Sequence, residues 1–286
     1  TKIISLNDVG DLTYPYEFLD GDIENIKKIT EDNHEISSLI KDAKKPLIIF
    51  GQSSLKSKSS KYIFESVKSF LEKNNKISNE WNSLNTISEN ASTVGSFDLG
   101  LYKTEDGSNE VLKDLENHEF EIVYLLGVDN LKFKKKNEFI IYQGSHGDKG
   151  AEMADIILPG AAYTEQNGYF TNLEGKLQKA YKASYPPEEA KEDWLIINEL
   201  AEVMNHRKLF NDKDELESSL FNQINLFIEK NKSIKSSKVG NLEFKKEILK
   251  IHNEDYYYSN AIARASKTMF ECKKAKINLK LTGTEG

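Results

Sequence analysis

Ile140-Ile141-Tyr142-Gln143-Gly144-Ser145-His146-Gly147-Asp148-Lys149-Gly150-Ala151 runs on to Ala154-Asp155-Ile156-Ile157-Leu158-Pro159-Gly160-Ala161-Ala162-Tyr163-Thr164-Glu165. Each half opens on a strand-sized apolar run and closes in small residues. Such a run reads as a strand buried on both faces, and the glycines allow the close turn that follows. Phe139 to Gln143 and Asp155 to Leu158 are therefore two expected strands. Gly168 to Gln178 continues with Gly168, Asn172 and Gly175, which predicts a hairpin.

The same reading extends outward. Leu47 to Phe50 and Glu121 to Gly127 are two more expected buried strands. After the first, Gly51-Gln52-Ser53-Ser54 leads into Tyr62, Phe64, Val67, Phe70 and Leu71 at helical spacing. Ile36 to Ala43 and Val111, Leu112 and Leu115 predict short helices, and Trp81, Leu84 and Ile87 predict another across Glu80 to Asn90. Strands separated by helices give an α/β fold, a Rossmann-like parallel sheet flanked by helices. Burying such strands stabilises by about 25 cal/mol per Å² of apolar area.

Beyond Pro186-Pro187 the pattern turns helical. Trp194, Ile197, Leu200, Ala201 and Met204 stripe one helix, with acids from Glu188 to Asp193 favouring its N-terminal dipole. Leu216, Leu220, Ile224 and Phe227 stripe another. A polar linker follows near residues 229–240, then Tyr256-Tyr257-Tyr258 and a helix from Ala261 to Lys273. Three regions are expected: an extended segment 1–35 with Tyr14-Pro15-Tyr16 as an anchor, an α/β domain 36–205, and a helical and extended C-terminal tail 206–286.

Composition excludes some roles. The chain has 286 residues, 38% hydrophobic and 30% charged, with a net charge of -7. Its lysines are interspersed with acids, so no basic face suited to nucleic acid is expected. No run approaches the roughly 20 apolar residues of a membrane helix. Cys272 is the only cysteine, and one thiol holds neither an internal disulfide nor an iron–sulfur cluster.

The candidate chemistry is weighed residue by residue. Gly51 to Ser54, between a strand and a helix, has the form of a phosphate cradle, but the dinucleotide and P-loop patterns are missing. A plain turn with a Ser cap is favoured. His146 beside Asp148 is a possible base and orienter, and Asp148, Glu152 and Asp155 are possible metal ligands without a defined geometry; turn chemistry is favoured for the His146–Asp148 turn, and Asp155 is expected to begin a strand. Glu165 and Glu174 would have to stand about 5–9 Å apart for paired-carboxylate chemistry, and roles around the hairpin are favoured. Trp194 and Tyr256 to Tyr258 are expected as packing or interface anchors, and Cys272 as a small, unreactive residue. The expectation is no catalytic, cofactor-binding or metal residue.

The block from Phe139 to Gln178 resembles the C-terminal part of the large iron–sulfur (75 kDa) subunit of respiratory complex I, NADH:ubiquinone oxidoreductase. Asp11-Leu12-Thr13-Tyr14-Pro15-Tyr16, Ala43 to Ser54, Asp98-Leu99-Gly100, Tyr124 to Asp129, Glu192-Asp193-Trp194 and Ala263 to Met269 resemble that family in the same order. The resemblance implies a molybdopterin-oxidoreductase-like fold whose cofactor is lost. It implies a non-catalytic structural part of the peripheral arm, on the matrix side of the mitochondrial inner membrane or the cytoplasmic face of a bacterial one. The chain is then an enzyme only as a subunit of the proton-translocating complex. The expected partners are the N-terminal iron–sulfur half of the subunit, carried on a separate chain, and other peripheral-arm subunits, with clusters and FMN on those partners. A start at Thr1 fits a removed targeting segment or part of a longer chain. The alternatives are an active molybdopterin- or nucleotide-binding oxidoreductase domain, which would hold a pterin, and a free-standing binding module, which would be a monomer.

Overall fold

The computed structural model describes residues 1–10, 13–78, 80–101, 108–128, 131, 133–231, 239–250 and 255–277; for residues 52–53, 108–110, 225–231 and 241 it describes the backbone. Asp11, Leu12 and Asp129, Gly107 and most of the expected linker lie outside the described residues, as does the Phe227 side chain. The chain divides into two compact units, residues 1–93 with 230–253, and residues 94–229 with 254–286.

In the first unit, β1 (Ile4–Leu6) pairs in parallel with β2 (Glu17–Leu19). Tyr16 pins the loop between them: its hydroxyl lies 2.8 Å from Asp8 Oδ1 and 2.9 Å from Gly10 O, sharing its one proton between them, and accepts from Val9 N. The expected extended segment is interrupted by α1 (Glu24–Thr30). Ile23 and Ile26 repeat at helical spacing and are buried in the core, which outweighs the polar composition around them.

α2 (Glu35–Asp42) is capped by His34, whose Nδ1 accepts from Ile36 N. β3 (Ile48–Gly51) follows, then the short α3 (Gln52–Leu55) and α4 (Ser60–Lys73). Tyr62, Ile63, Ser66, Val67, Phe70 and Leu71 form one buried stripe on α4, packed against Ile23, Ile26 and Phe50. Each such aliphatic side chain contributes about 1.5–3 kcal/mol on burial.

The helix expected across Glu80 to Asn90 is instead β4 (Leu84–Ile87), parallel to β3 with Ile48 opposite Leu84 and Phe50 opposite Thr86. Trp81, Leu84 and Ile87 imitate a helical period, but the intervening Ser and Asn residues compete for backbone hydrogen bonds. Trp81 precedes the strand, its Nε1 donating to Pro46 O at 2.9 Å.

This unit is completed from far along the chain. Ser59 Oγ donates to Lys245 O and accepts from Lys245 N. Phe244 meets the Tyr62 ring edge-on at 5.0 Å. Leu249 N donates to Gly21 O, and Asn7 Nδ2 to Leu249 O.

In the second unit, α5 (Thr93–Asp98) and α6 (Ser108–Glu116) precede a parallel sheet in the order β5 (Ile122–Leu126), β6 (Phe139–Gly144), β7 (Ile156–Pro159). The five-residue α7 (Lys149–Met153) connects β6 to β7. One sheet face is cored by Leu125, Ile140 and Tyr142 against Leu115 of α6, Phe133 and Ala151 and Met153 of α7. Gly150 has no room for a side chain, since a Cβ there would lie 2.7 Å from Val128 O. β8 (Gly168–Thr171) and β9 (Leu177–Ala180) form the expected hairpin, closed by Asn172 Oδ1, which accepts from Glu174 N and Lys176 N.

α8 (Asp193–Asn205) turns its stripe from the expected position: Ile196, Asn198 and Ala201 are buried and Met204 is 69% exposed. Asn198 is drawn inward because its side chain bonds Leu209 N, Phe210 N and Phe210 O of the chain leaving the helix. After α9 (Lys213–Asn231), the tail carries a 3-10 turn at Tyr256–Tyr258, α10 (Ala261–Ala265) and α11 (Lys267–Ile277). The single helix expected from Ala261 is broken at Ser266, whose backbone leaves the helical region and whose Oγ accepts from Met269 N. Among the described residues, no helix is long and apolar enough to cross a membrane.

Candidate functional site

The parallel strands β6 and β7 end side by side, Gly144 opposite Pro159. A cleft of about 410 Å³ opens beyond these carboxyl ends, where open α/β sheets bind ligands. Gly160 lines it, and a Cβ there would lie 2.8 Å from Asp193 Oδ1. His146, Glu165, Glu188 and Glu189 also line it. Glu188 holds φ at +46°, a left-handed backbone that costs a non-glycine residue energy.

A polar network surrounds Gln143 at the end of β6. Gln143 is fully buried, and its Nε2 donates to Asp193 Oδ1 at 2.8 Å. Gln166 Nε2 donates to Asp193 Oδ2 at 2.9 Å, and Asp193 N returns a bond to Gln166 Oε1. Tyr124 donates its hydroxyl to Gln143 Oε1. Burial first, and the Asp193 charge second, push the Tyr124 phenol pKa up. The network ties the start of α8 to the end of β6.

The sequence candidates make the following contacts. His146 Nδ1 meets Ser145 Oγ at 2.9 Å, while Asp148 bonds elsewhere, so no base–orienter pair forms. Asp148 caps α7 through Lys149 N and pairs with Arg264 Nε. Burial raises the Asp148 pKa, but Arg264 and the Lys149 N–H outweigh it and hold the carboxyl below the usual range. Asp155 accepts from Ile140 N and pairs with Lys135, which lower its pKa in that order. Among the described residues, no cluster of His, Cys, Asp and Glu could hold a metal ion.

Glu165 accepts from Ala162 N at 2.9 Å, and Glu174 from Asn172 Nδ2 in the hairpin turn. At the candidate phosphate cradle, Ser54 Oγ donates back to Gly51 O at 2.6 Å. Trp194 Nε1 donates to Glu192. Tyr256 is 81% exposed, while Tyr258 lies under Lys273 at 4.1 Å. Cys272 is free and half-buried.

Sequence reasoning did not find Gln143, Gln166 or Arg264. Gln143 carried a signal, as an amide at the end of an apolar strand that requires a buried partner. Arg264 carried another, as one of two arginines in a lysine-rich chain; its fork reaches Asp148 and Tyr258 O together, which the single ammonium of a lysine matches poorly.

The class is set by a parallel α/β sheet with a cleft at its strand ends. A family profile described as molybdopterin oxidoreductase matches residues 1–203, and one described as the C-terminal region of the G-type subunit of NADH-ubiquinone oxidoreductase matches residues 215–272. The chain belongs to the molybdopterin oxidoreductase family.

The chain is 37% identical over 280 residues to the NADH-ubiquinone oxidoreductase 75 kDa subunit of Reclinomonas americana, covering 95% of this chain and 40% of that protein. It is 36% identical to the G-type subunit of NADH-quinone oxidoreductase of Rickettsia bellii, covering 99% of this chain and 41% of that protein. The mitochondrial NADH-ubiquinone oxidoreductase 78 kDa subunit of Candida albicans is 36% identical over 80% of this chain. The chain thus spans about 40% of the length of the first of these relatives.

The family name implies a pterin cofactor, whose phosphate carries negative charge. Among the described residues, the cleft is lined by Glu165, Glu188 and Glu189 and by no Lys or Arg. The donor set does not fit an anionic cofactor.

Proposed function

We propose that this chain is the non-catalytic C-terminal part of the large iron–sulfur subunit of NADH:ubiquinone oxidoreductase, in its peripheral arm. The cluster-bearing N-terminal half is its immediate partner, and FMN and the iron–sulfur clusters sit on partner polypeptides. The chain steadies that half and holds no cofactor of its own. By its mitochondrial relatives, its place is the matrix side of the inner membrane.

The observation that carries this reading is the ordered match of two family profiles, residues 1–203 and then 215–272, across nearly the whole chain. The acidic cleft supports the absence of a resident pterin. The bonded network around Gln143 supports a scaffold role, because a bonded polar network rigidifies.

Blue native electrophoresis of source membranes, followed by mass spectrometry, tests the proposal. The expected result is migration in one very large assembly with flavoprotein and quinone-site subunits. A free monomer would overturn the reading. Stoichiometric pterin released from the purified chain on oxidation would overturn its cofactor-free part.

A further inference from the structure

The last helix, α11, has a covered side and a bare side. Met269, Cys272 and Lys273 are half-buried, and the helix meets the 3-10 turn at Tyr256–Tyr258. There Lys273 Nζ lies 4.1 Å over the Tyr258 ring and pairs with Asp255. On the other side, Lys267, Phe270, Lys274 and Ile277 follow one another at intervals of three and four, which puts them in one stripe. All four are exposed, Phe270 by 46% and Ile277 by 73%.

The stripe is basic in an acidic protein. The helix carries Lys267, Lys273, Lys274 and Lys276 against Glu271, in a chain of net charge -7. Among the described residues, Lys273 is the one lysine of these four that meets a carboxylate. Lys274 lies 4.8 Å over the Phe270 ring, and Lys276 lies 5.7 Å over that of Tyr257. Ammonium groups held beside rings have less side-chain freedom left to lose on binding. Lysines have donors and no acceptor, so a surface with Phe270 and Ile277 set among them complements a chain that brings carboxylates and one apolar side chain together.

Other polyanions fit it less well. At 1.5 Å per residue the helix is about 16 Å long. Tight duplex binding draws on roughly 6–10 phosphate contacts, and a basic segment that binds anionic lipid carries about 4–8 Lys or Arg. The stripe offers fewer, and the net negative charge of the chain repels both kinds of surface. An exposed aromatic ring with cations beside it is instead the composition of a protein interface.

We propose that the bare side of α11 is a docking surface for an acidic polypeptide, a segment of a partner protein that seats an apolar side chain against Phe270 and Ile277 and brings Asp or Glu to Lys267 and Lys274. The surface belongs to this chain alone and stands whether or not the subunit assignment above does.

Photocrosslinking tests the proposal, with a benzophenone amino acid at position 270 of the full chain in its native assembly and mass spectrometry of the product. The expected crosslink is to one protein segment with Asp or Glu on both sides of the attachment point. Lys267→Glu combined with Lys274→Glu lowers its yield about tenfold, whereas Lys267→Arg combined with Lys274→Arg keeps it. Raising the salt from about 0.05 to about 0.5 M before irradiation gives the same contrast without a substitution. A crosslink to a segment without acids, to nucleic acid or to lipid overturns the proposal, as does no crosslink at all. Equal yields from the Glu and Arg variants, or a yield indifferent to salt, overturn it too.

Discussion

At the scale of single residues, the most consequential group outside the cleft is Glu138. Its side chain is 2% exposed and pairs with His118 Nδ1, while its second oxygen accepts from Lys136 N at 2.6 Å. The Lys136 N–H lowers the pKa most. Burial opposes it, and its own N–H and His118 add to the lowering, so the carboxyl falls to about 2 from an ordinary 4.5. A depressed carboxylate stabilises the fold above its unfolded pKa and loses that contribution as pH falls through the folded value. Thermal unfolding should therefore show stability draining away between about pH 4.5 and 2. Glu138→Gln should be less stable near neutrality and flatter across that window; parallel profiles for the two proteins would refute the assignment. None of this was legible in the sequence, where His118 and Glu138 stand 20 residues apart. Gln143 was partly legible, because an amide in an apolar strand announces a partner without naming it.

At the scale of elements, the α7 cap and the tail form one device. Asp148 starts α7 and also receives Arg264 of α10, so the turn and the Tyr-rich tail bind each other. Replacing Arg264 by Ala removes a bond between charged groups worth about 2 kcal/mol. Amide hydrogen exchange should quicken both in the tail and in residues 144–150. Asp148→Asn keeps the helix cap but not the ion pair, so it should loosen the tail and spare α7. Unchanged exchange in Arg264→Ala would show that the tail is held by other contacts. Elements with one strong period, such as α4 and β6, were readable because burial and propensity agree in them. β4 was not, since three apolar residues at intervals of three have helical spacing, and pairing with β3 decided the matter. The α8 stripe slipped because Asn198, polar by composition, is buried by its bonds to Leu209 and Phe210.

At the scale of the molecule, chain order and spatial order part company. The first unit takes residues 1–93 and then 230–253. The returning segment supplies Phe244 to the Tyr62 ring, the Lys245 backbone to Ser59 Oγ and a salt bridge from Lys246 to Glu24. A fragment ending at residue 93 should therefore be less protected from proteolysis than the same fragment with a synthetic peptide of residues 239–250 added. Equal digestion rates would mean that the segment adds nothing. This arrangement was illegible in the sequence, where residues 1–35 and 206–286 look like separate margins of a central domain. Contacts between distant stretches leave no local period, whereas the parallel α/β class and the family do leave local marks.

That closure has a temporal consequence. A ribosome makes the two halves of the first unit more than a hundred residues apart, so the α4 surface that receives Phe244 waits uncovered while the β5–β7 sheet and its cleft are being synthesised. At about 5–20 residues per second, the delay lasts on the order of ten seconds or more. Chaperones that recognise apolar helices have that interval in which to engage the nascent chain.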